Sequence, residues 1–245
     1  MNPIKGIPSL LTSLNLLCGL FAILFAFKEE FYTAGLFVVV AGILDFFDGF
    51  VARMLKATSA FGRELDSLAD VVTFGVAPAF IVYCFDMSLH DPIYVEDVAL
   101  PYQGAYAAFL IPIFSALRLA RFNIDRKQKS GFLGVPTPAN ALFFIGLPII
   151  WSQYPESMPA VWIQRIYALP ALAVLFSLLM VIPLPLIALK FSNGFGLREN
   201  IFKYLLIGSS AILLILWRES ALPAVILLYI FISLIAQLFQ SFKKS

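Results

Sequence analysis

The chain has 245 residues, of which 61% are hydrophobic and 13% charged, and its mean hydropathy is +0.91. So apolar a composition excludes an ordinary soluble domain and a disordered chain, and identifies an integral membrane protein. The net charge of +2 is too small to imply a nucleic-acid partner.

The first residues, with Asn2, Pro3, Lys5 and Pro8, break the pattern of a charged lead, apolar run and small-residue cleavage site, so no removed signal peptide is expected. The segment IPSLLTSLN reads as a short amphipathic helix lying on the membrane surface. A first span follows over about 14–27, ended by Lys28, Glu29 and Glu30, and a second runs over about 31–50. After a link at 54–60, a third span covers about 62–85. The connection 86–101 is polar and holds Asp86, Asp91, Glu96 and Asp97 without a Lys or Arg.

A fourth span over about 102–119 ends in LRLARFN and a basic loop, and GVPTPAN opens a fifth that reaches Trp151. Its prolines stand where a helix entry tolerates them. A sixth, about 163–189, carries Pro170, Pro183 and Pro185 and is expected to kink or break near its end. Spans over about 201–217 and 222–239 complete an all-α bundle of about eight, or of six or seven if the short runs are interfacial, forming one membrane domain over 1–245. Cys18 and Cys84 lie in apolar runs and read as packing residues, while His90 falls in the 86–101 connection and is given no role. With the N-terminus in the cytoplasm, fourteen of the seventeen Lys and Arg face inward, leaving Lys28, Arg165 and Arg218 outside. That bias predicts both termini on the cytoplasmic side.

The stretch 45–70, DFFDGFVARMLKATSAFGRELDSLAD, concentrates charge where the rest of the chain holds little. Asp45 and Asp48 are three apart and Asp66 and Asp70 four apart, so each pair shares one helix face. Brought together, the two faces offer up to eight carboxylate oxygens whose mutual repulsion a bound cation relieves. Ligation by oxygen alone, without His or Cys, points to a hard ion, Mg2+, Mn2+ or Ca2+, rather than zinc. Gly49 and Gly62 allow a ligand close to the backbone, and Arg53 supplies a planar cation for phosphate. A phosphorylated substrate fits that set.

This stretch resembles the signature of the CDP-alcohol phosphotransferases, D-x2-D-G-x2-A-R-x8-G-x3-D-x3-D, and meets its eight specified positions with Asp45, Asp48, Gly49, Ala52, Arg53, Gly62, Asp66 and Asp70. The resemblance implies a six-helix core plus two further helices, a homodimer, and transfer of a phosphatidyl or similar group from a CDP-linked donor to an alcohol with release of CMP. It further implies divalent metal, Mg2+ or Mn2+ and two per site, on Asp45, Asp48, Asp66 and Asp70, with Asp70 also the base. Gly49, Arg53, Thr58 and Gly62 would then line the CDP group.

The flanks IPSLLTSLNLLCG, LDSLADVVTFGVAPA, LRLARFN and GVPTPAN resemble the membrane-embedded phosphatidylserine synthases of that family. They imply CDP-diacylglycerol as donor in the bilayer, L-serine as acceptor, and a site at the cytoplasmic surface. Arg118, Arg121 and Asn123 of LRLARFN are the candidates for the serine carboxylate or a lipid phosphate, because guanidinium groups grip either bidentately. Glycerol 3-phosphate or inositol as acceptor is the nearest rival reading. A cation transporter is a distant one, because its carboxylates would lie near mid-span rather than at helix ends.

Overall fold

A computed structural model describes residues 6–57, 59–90, 93–95, 98–100, 103–124, 132–187, 196 and 200–244. Helices dominate: α1 (Ile7–Phe27), α2 (Phe31–Met54), α3 (Ala60–Asp70), α4 (Ala77–Leu89), α5 (Leu110–Ile124), α6 (Thr137–Gln153), α7 (Met158–Ile163), α8 (Ala168–Val181), α9 (Ile201–Trp217) and α10 (Leu222–Lys244). A π-helical turn, Val71–Val76, joins α3 to α4, so that Ala60–Leu89 is one continuous 30-residue run. Two short antiparallel ribbons accompany the helices, β1 (Ile93–Val95) with β2 (Val98–Leu100), and β3 (Phe132–Leu133) with β4 (Pro185–Leu186).

Five of the runs are long and apolar enough to cross a membrane: Ile7–Phe27, Phe31–Met54, Ala60–Leu89, Gln103–Ile124 and Ile201–Phe239. The last contains a reversal. Arg218 takes φ 48° between α9 and α10, and the rings of Phe202 and Phe239, from the outer ends of the two helices, meet at 5.8 Å. That run is therefore an antiparallel hairpin. With α6 and α8, which are shorter, the described residues form eight helical passes between two ends, a multi-pass membrane bundle as the sequence predicts.

Side chains are distributed as a lipid solvent requires. On α1 the buried positions are Pro8, Thr12, Asn15, Gly19, Ala22 and Ala26, a stripe of small and polar residues at helical spacing. Leu10, Leu17, Leu20, Leu24 and Phe27 face outward. Lipid tails are as apolar as leucine, so close helix contact is made by small residues and by polar groups that must be kept from lipid. Gly19 shows the consequence: a Cβ there would stand 2.7 Å from Thr73 Oγ1 and 3.0 Å from Thr73 Cα. Large apolar side chains fill the remaining interior, among them Phe85, Phe143, Phe144, Phe176 and Met180, with Phe143 stacked on Phe176 at 3.8 Å.

Three sequence expectations shift. IPSLLTSLN is not a separate surface helix but the first turns of α1, which runs unbroken from Ile7, and Pro8, Thr12 and Asn15 are buried in the bundle. Asp86 lies inside α4 rather than in the connection after it, buried, with Oδ1 3.2 Å from His90 Nδ1. The same Nδ1 lies 3.0 Å from the Asp86 carbonyl oxygen, so His90 packs back on the last turn of α4. The sixth span begins later than expected, at Ala168 after the separate short helix α7, whereas its expected break near the end is present, α8 stopping at Val181 before Pro183 and the β3–β4 ribbon. Loss of the N–H donor at successive prolines ends the helix there.

The two ends of the bundle differ. At one, Glu219 Oε1 accepts from Tyr32 Oη and Gln153 Nε2, each at 3.3 Å, and Ser220 Oγ donates to Gln153 Oε1 at 2.6 Å. These bonds tie the start of α2, the end of α6 and the α9–α10 turn. At the other end lie the four aspartates.

Candidate active site

Two local devices turn the chain sharply between the acidic pairs. α2 ends where Lys56 takes φ 49° and Ala57 N donates to Ala52 O at 2.9 Å. α3 then begins at Ser59, whose hydroxyl accepts from Gly62 N at 2.9 Å, the bond expected of a serine N-cap. Gly62 fits under that cap, since a Cβ would lie 3.1 Å from Ser59 Oγ. The end of α2 and the start of α3 are thereby held side by side.

The turn brings Asp45 and Asp48 of α2 against Asp66 of α3, with one carboxylate oxygen of each inside a group spanning at most 4.8 Å. Hard divalent ions bind oxygen at about 2.0–2.6 Å, so oxygens this close can share one ion. Asp70, a turn beyond Asp66, lies within the electrostatic reach of all three and beside Asn15. It stands outside the tight trio.

Asp48 is only 5% exposed, and its Oδ2 accepts from Thr12 Oγ1 at 2.7 Å. Asp66 Oδ1 and Asp70 Oδ1 are buried without a hydrogen-bond partner. Among the described residues no Lys or Arg forms an ion pair with any of the four. Carboxylates so close, with no cation from the protein and with orphaned oxygens, are a donor set that fits a hard divalent metal.

Arg53 is exposed and lies over Gly49, where a Cβ would stand 3.4 Å from its Nη1. The guanidinium and the bare backbone therefore share the rim of the acidic cluster. Thr58 lies outside the described residues. Among the residues of LRLARFN, Asn123 Nδ2 donates to Ser67 Oγ at 2.9 Å, which fixes the end of α5 to α3 one residue after Asp66. Arg118 is largely buried beside Tyr229 of α10, with its Nε unpartnered, and Arg121 is exposed.

The structure adds α1 to the site. Thr12 and Asn15 are buried, one helical turn apart, and face Asp48 and Asp70 respectively. The sequence carried a sign of this, namely polar residues three apart at 12 and 15 in an otherwise leucine-rich run, but read as a surface helix their polar face pointed to water. The π-helical turn after Asp70 is a second unexpected feature. It buries Thr73, whose Oγ1 donates to Asn15 O at 3.3 Å, and Gly75, where a Cβ would stand 3.1 Å from Ser115 Cβ and 3.2 Å from Pro112 Cα. Such turns recur at functional sites, where the extra residue rotates the face of the helix beyond it.

Fold and site together define a class: a multi-pass membrane protein with an acidic, metal-capable cluster at one end of its bundle and an arginine at the rim. The family model described as CDP-alcohol phosphatidyltransferase matches residues 5–188, and the chain belongs to that family. It is 42% identical over 132 residues to a CDP-diacylglycerol--serine O-phosphatidyltransferase of Bacillus subtilis, covering 54% of this chain and 69% of that protein. Proteins of the same name from Helicobacter pylori (38% over 156 residues, 63% of this chain and 62% of that protein) and Mycobacterium leprae (40% over 155 residues, 60% and 48%) are also similar. The chain thus spans about half to two thirds of the length of most of the relatives it matches.

Proposed function

We propose that this chain is a phosphatidylserine synthase, moving the phosphatidyl group of CDP-diacylglycerol to the hydroxyl of L-serine with release of CMP. The observation that carries the reading is the convergence of Asp45, Asp48 and Asp66 within 4.8 Å, in a chain whose relatives bear that enzyme's name. A donor whose acyl chains stay in lipid must present its CDP head at the membrane surface, and the cluster at the end of the bundle suits that depth.

Asp45, Asp48 and Asp66, with Asp70 at their edge, would hold Mg2+ or Mn2+. When bound, such ions neutralise the diphosphate and the charge that grows on the departing CMP oxygen. The chain's own groups do the rest. Gly49 and Gly62 admit the nucleotide to the backbone, and Arg53, with Thr58, fixes phosphate oxygens. Asp70 accepts the proton of the serine hydroxyl. The hydroxyl oxygen forms its bond to the phosphatidyl phosphorus as the bond from that phosphorus to the CMP oxygen breaks, and CMP leaves with the electron pair. Asn123 holds the end of α5 against α3, which keeps Arg118 and Arg121 near the same end of the bundle for the serine carboxylate or a lipid phosphate.

Purified protein supplied with CDP-diacylglycerol and L-serine should release CMP, lose that activity on chelation of divalent ions, and regain it on adding Mg2+ or Mn2+. Release of CMP with glycerol 3-phosphate or inositol but not with serine would replace the acceptor and keep the family. Unchanged turnover after chelation would overturn the metal reading.

A further inference from the structure

Asn15 is wholly buried, yet neither Oδ1 nor Nδ2 of its carboxamide has a hydrogen-bond partner. A polar side chain kept in that state inside a membrane bundle is costly unless a ligand completes its bonding. Its amide lies beside the carboxyl of Asp70, one oxygen of which, Oδ1, is likewise buried and unbonded. α1 holds the amide firmly in place. One turn earlier Thr12 binds Asp48 at 2.7 Å, Asn15's own carbonyl accepts from Thr73 at 3.3 Å, and one turn later Gly19 permits the close approach to Thr73.

An alcohol hydroxyl satisfies both orphaned groups at once. It accepts an N–H from the carboxamide and donates its own hydrogen to the carboxylate. A phosphate oxygen suits the amide but is repelled by the carboxylate beside it. We infer that Asn15 is a substrate-contacting residue on the acceptor side, its Nδ2 donating to the oxygen of the attacking alcohol so that the hydroxyl hydrogen is aimed at Asp70. This deepens the proposed function and rests on it. The amide fixes the hydroxyl's rotation, the proton passes to Asp70 as the new bond to phosphorus forms, and CMP departs.

The test compares wild type with Asn15→Leu, of similar size and without polar atoms, using whichever of serine, glycerol 3-phosphate or inositol the wild type turns over. Loss of one substrate hydrogen bond should lower kcat/KM for the alcohol by about ten- to hundred-fold. The Kd for CMP in the presence of Mg2+ should stay unchanged, and Tm should hold or rise because an unbonded buried amide has been removed. Unchanged kcat/KM, or CMP affinity falling in step with activity, would overturn the inference. If Asn15→Leu does not fold, Asn15→Ser is read by the same two measurements. A wild type that releases no CMP with any of the alcohols removes the proposed function and this inference together. Activity confined to an alcohol other than serine removes only the serine assignment, and the Asn15 comparison is then decided on that alcohol.

Discussion

At the scale of single residues, the four aspartates of one motif are not equivalent. Asp45, Asp48 and Asp66 offer oxygens to one point, whereas Asp70 stands beyond them against the buried amide of Asn15. Asp70→Asn should therefore abolish CMP release while leaving much of the CMP binding with Mg2+, since the proposed proton acceptor is lost and the close trio of carboxylates is intact. Asp45→Asn or Asp66→Asn should lose metal and nucleotide affinity together, and titration calorimetry with CMP and Mg2+ separates the cases. Similar, near-normal turnover in all three would contradict the site.

Thr12 acts through another residue. Its hydroxyl orients Asp48, and removing an outer partner of a metal ligand typically costs about 10–100-fold in affinity. Thr12→Val, which keeps the volume, should weaken Mn2+ binding by about that factor in an equilibrium titration, while Thr12→Ser restores it.

At the scale of elements, the decisive contact is α1 on the continuous run Ala60–Leu89, made through Gly19 and Thr73. Any Cβ at 19 meets not only the Thr73 hydroxyl but its Cα at 3.0 Å, so the helices must part. Gly19→Ala should cost about 1–3 kcal/mol, as overpacking in a filled interior does. It should also lower activity, because Thr12 and Asn15 ride on the same helix. Gly208→Ala is the control: it lies on the exposed face of α9 with nothing within 4 Å of the added carbon. It should leave Tm unchanged or raise it, alanine being the better helix former. Equal losses in the two variants would show that the fit of α1 is not special.

The same elements show what the sequence could carry. The acidic pairs were legible because three- and four-residue spacing fixes a helix face wherever the helix lies, and the spans because apolar length is a local property. The burial of Thr12 and Asn15 was not legible, since polar residues at helical spacing look alike whether they meet water or a buried carboxylate, and only the packing of α1 on α2 and α3 decides which. Nor was the π-helical turn at Val71–Val76, which no residue of VVTFGV announces. Asp86 was read as loop because a charge at the end of an apolar run normally marks the water interface, and its partner His90 is four residues on.

At the scale of the whole molecule, the question is which end of the bundle faces the cytoplasm. Arg53, Lys56 and Arg63 border the aspartates, Arg118 and Arg121 stand in the last turns of α5, and Lys203 opens α9, all at that end. Lys28, Arg165 and Arg218 fall at the other, with Glu29, Glu30 and Glu219. Insertion favours Lys and Arg on the cytoplasmic side, and eight passes return the chain to the side on which it began. We propose that the aspartates open to the cytoplasm, where a water-soluble acceptor reaches a donor anchored in the inner leaflet. Lys56 and Glu156 lie at opposite ends and both are exposed, so each can carry a probe. In a background with Cys18→Ala and Cys84→Ala, a membrane-impermeant maleimide applied to intact cells should modify Glu156→Cys and spare Lys56→Cys until the membrane is opened. The reverse pattern would put the acidic cluster on the far side of the membrane. A cytoplasmic supply of the alcohol could not then feed the reaction, and the assignment of donor leaflet and acceptor would fall with the orientation.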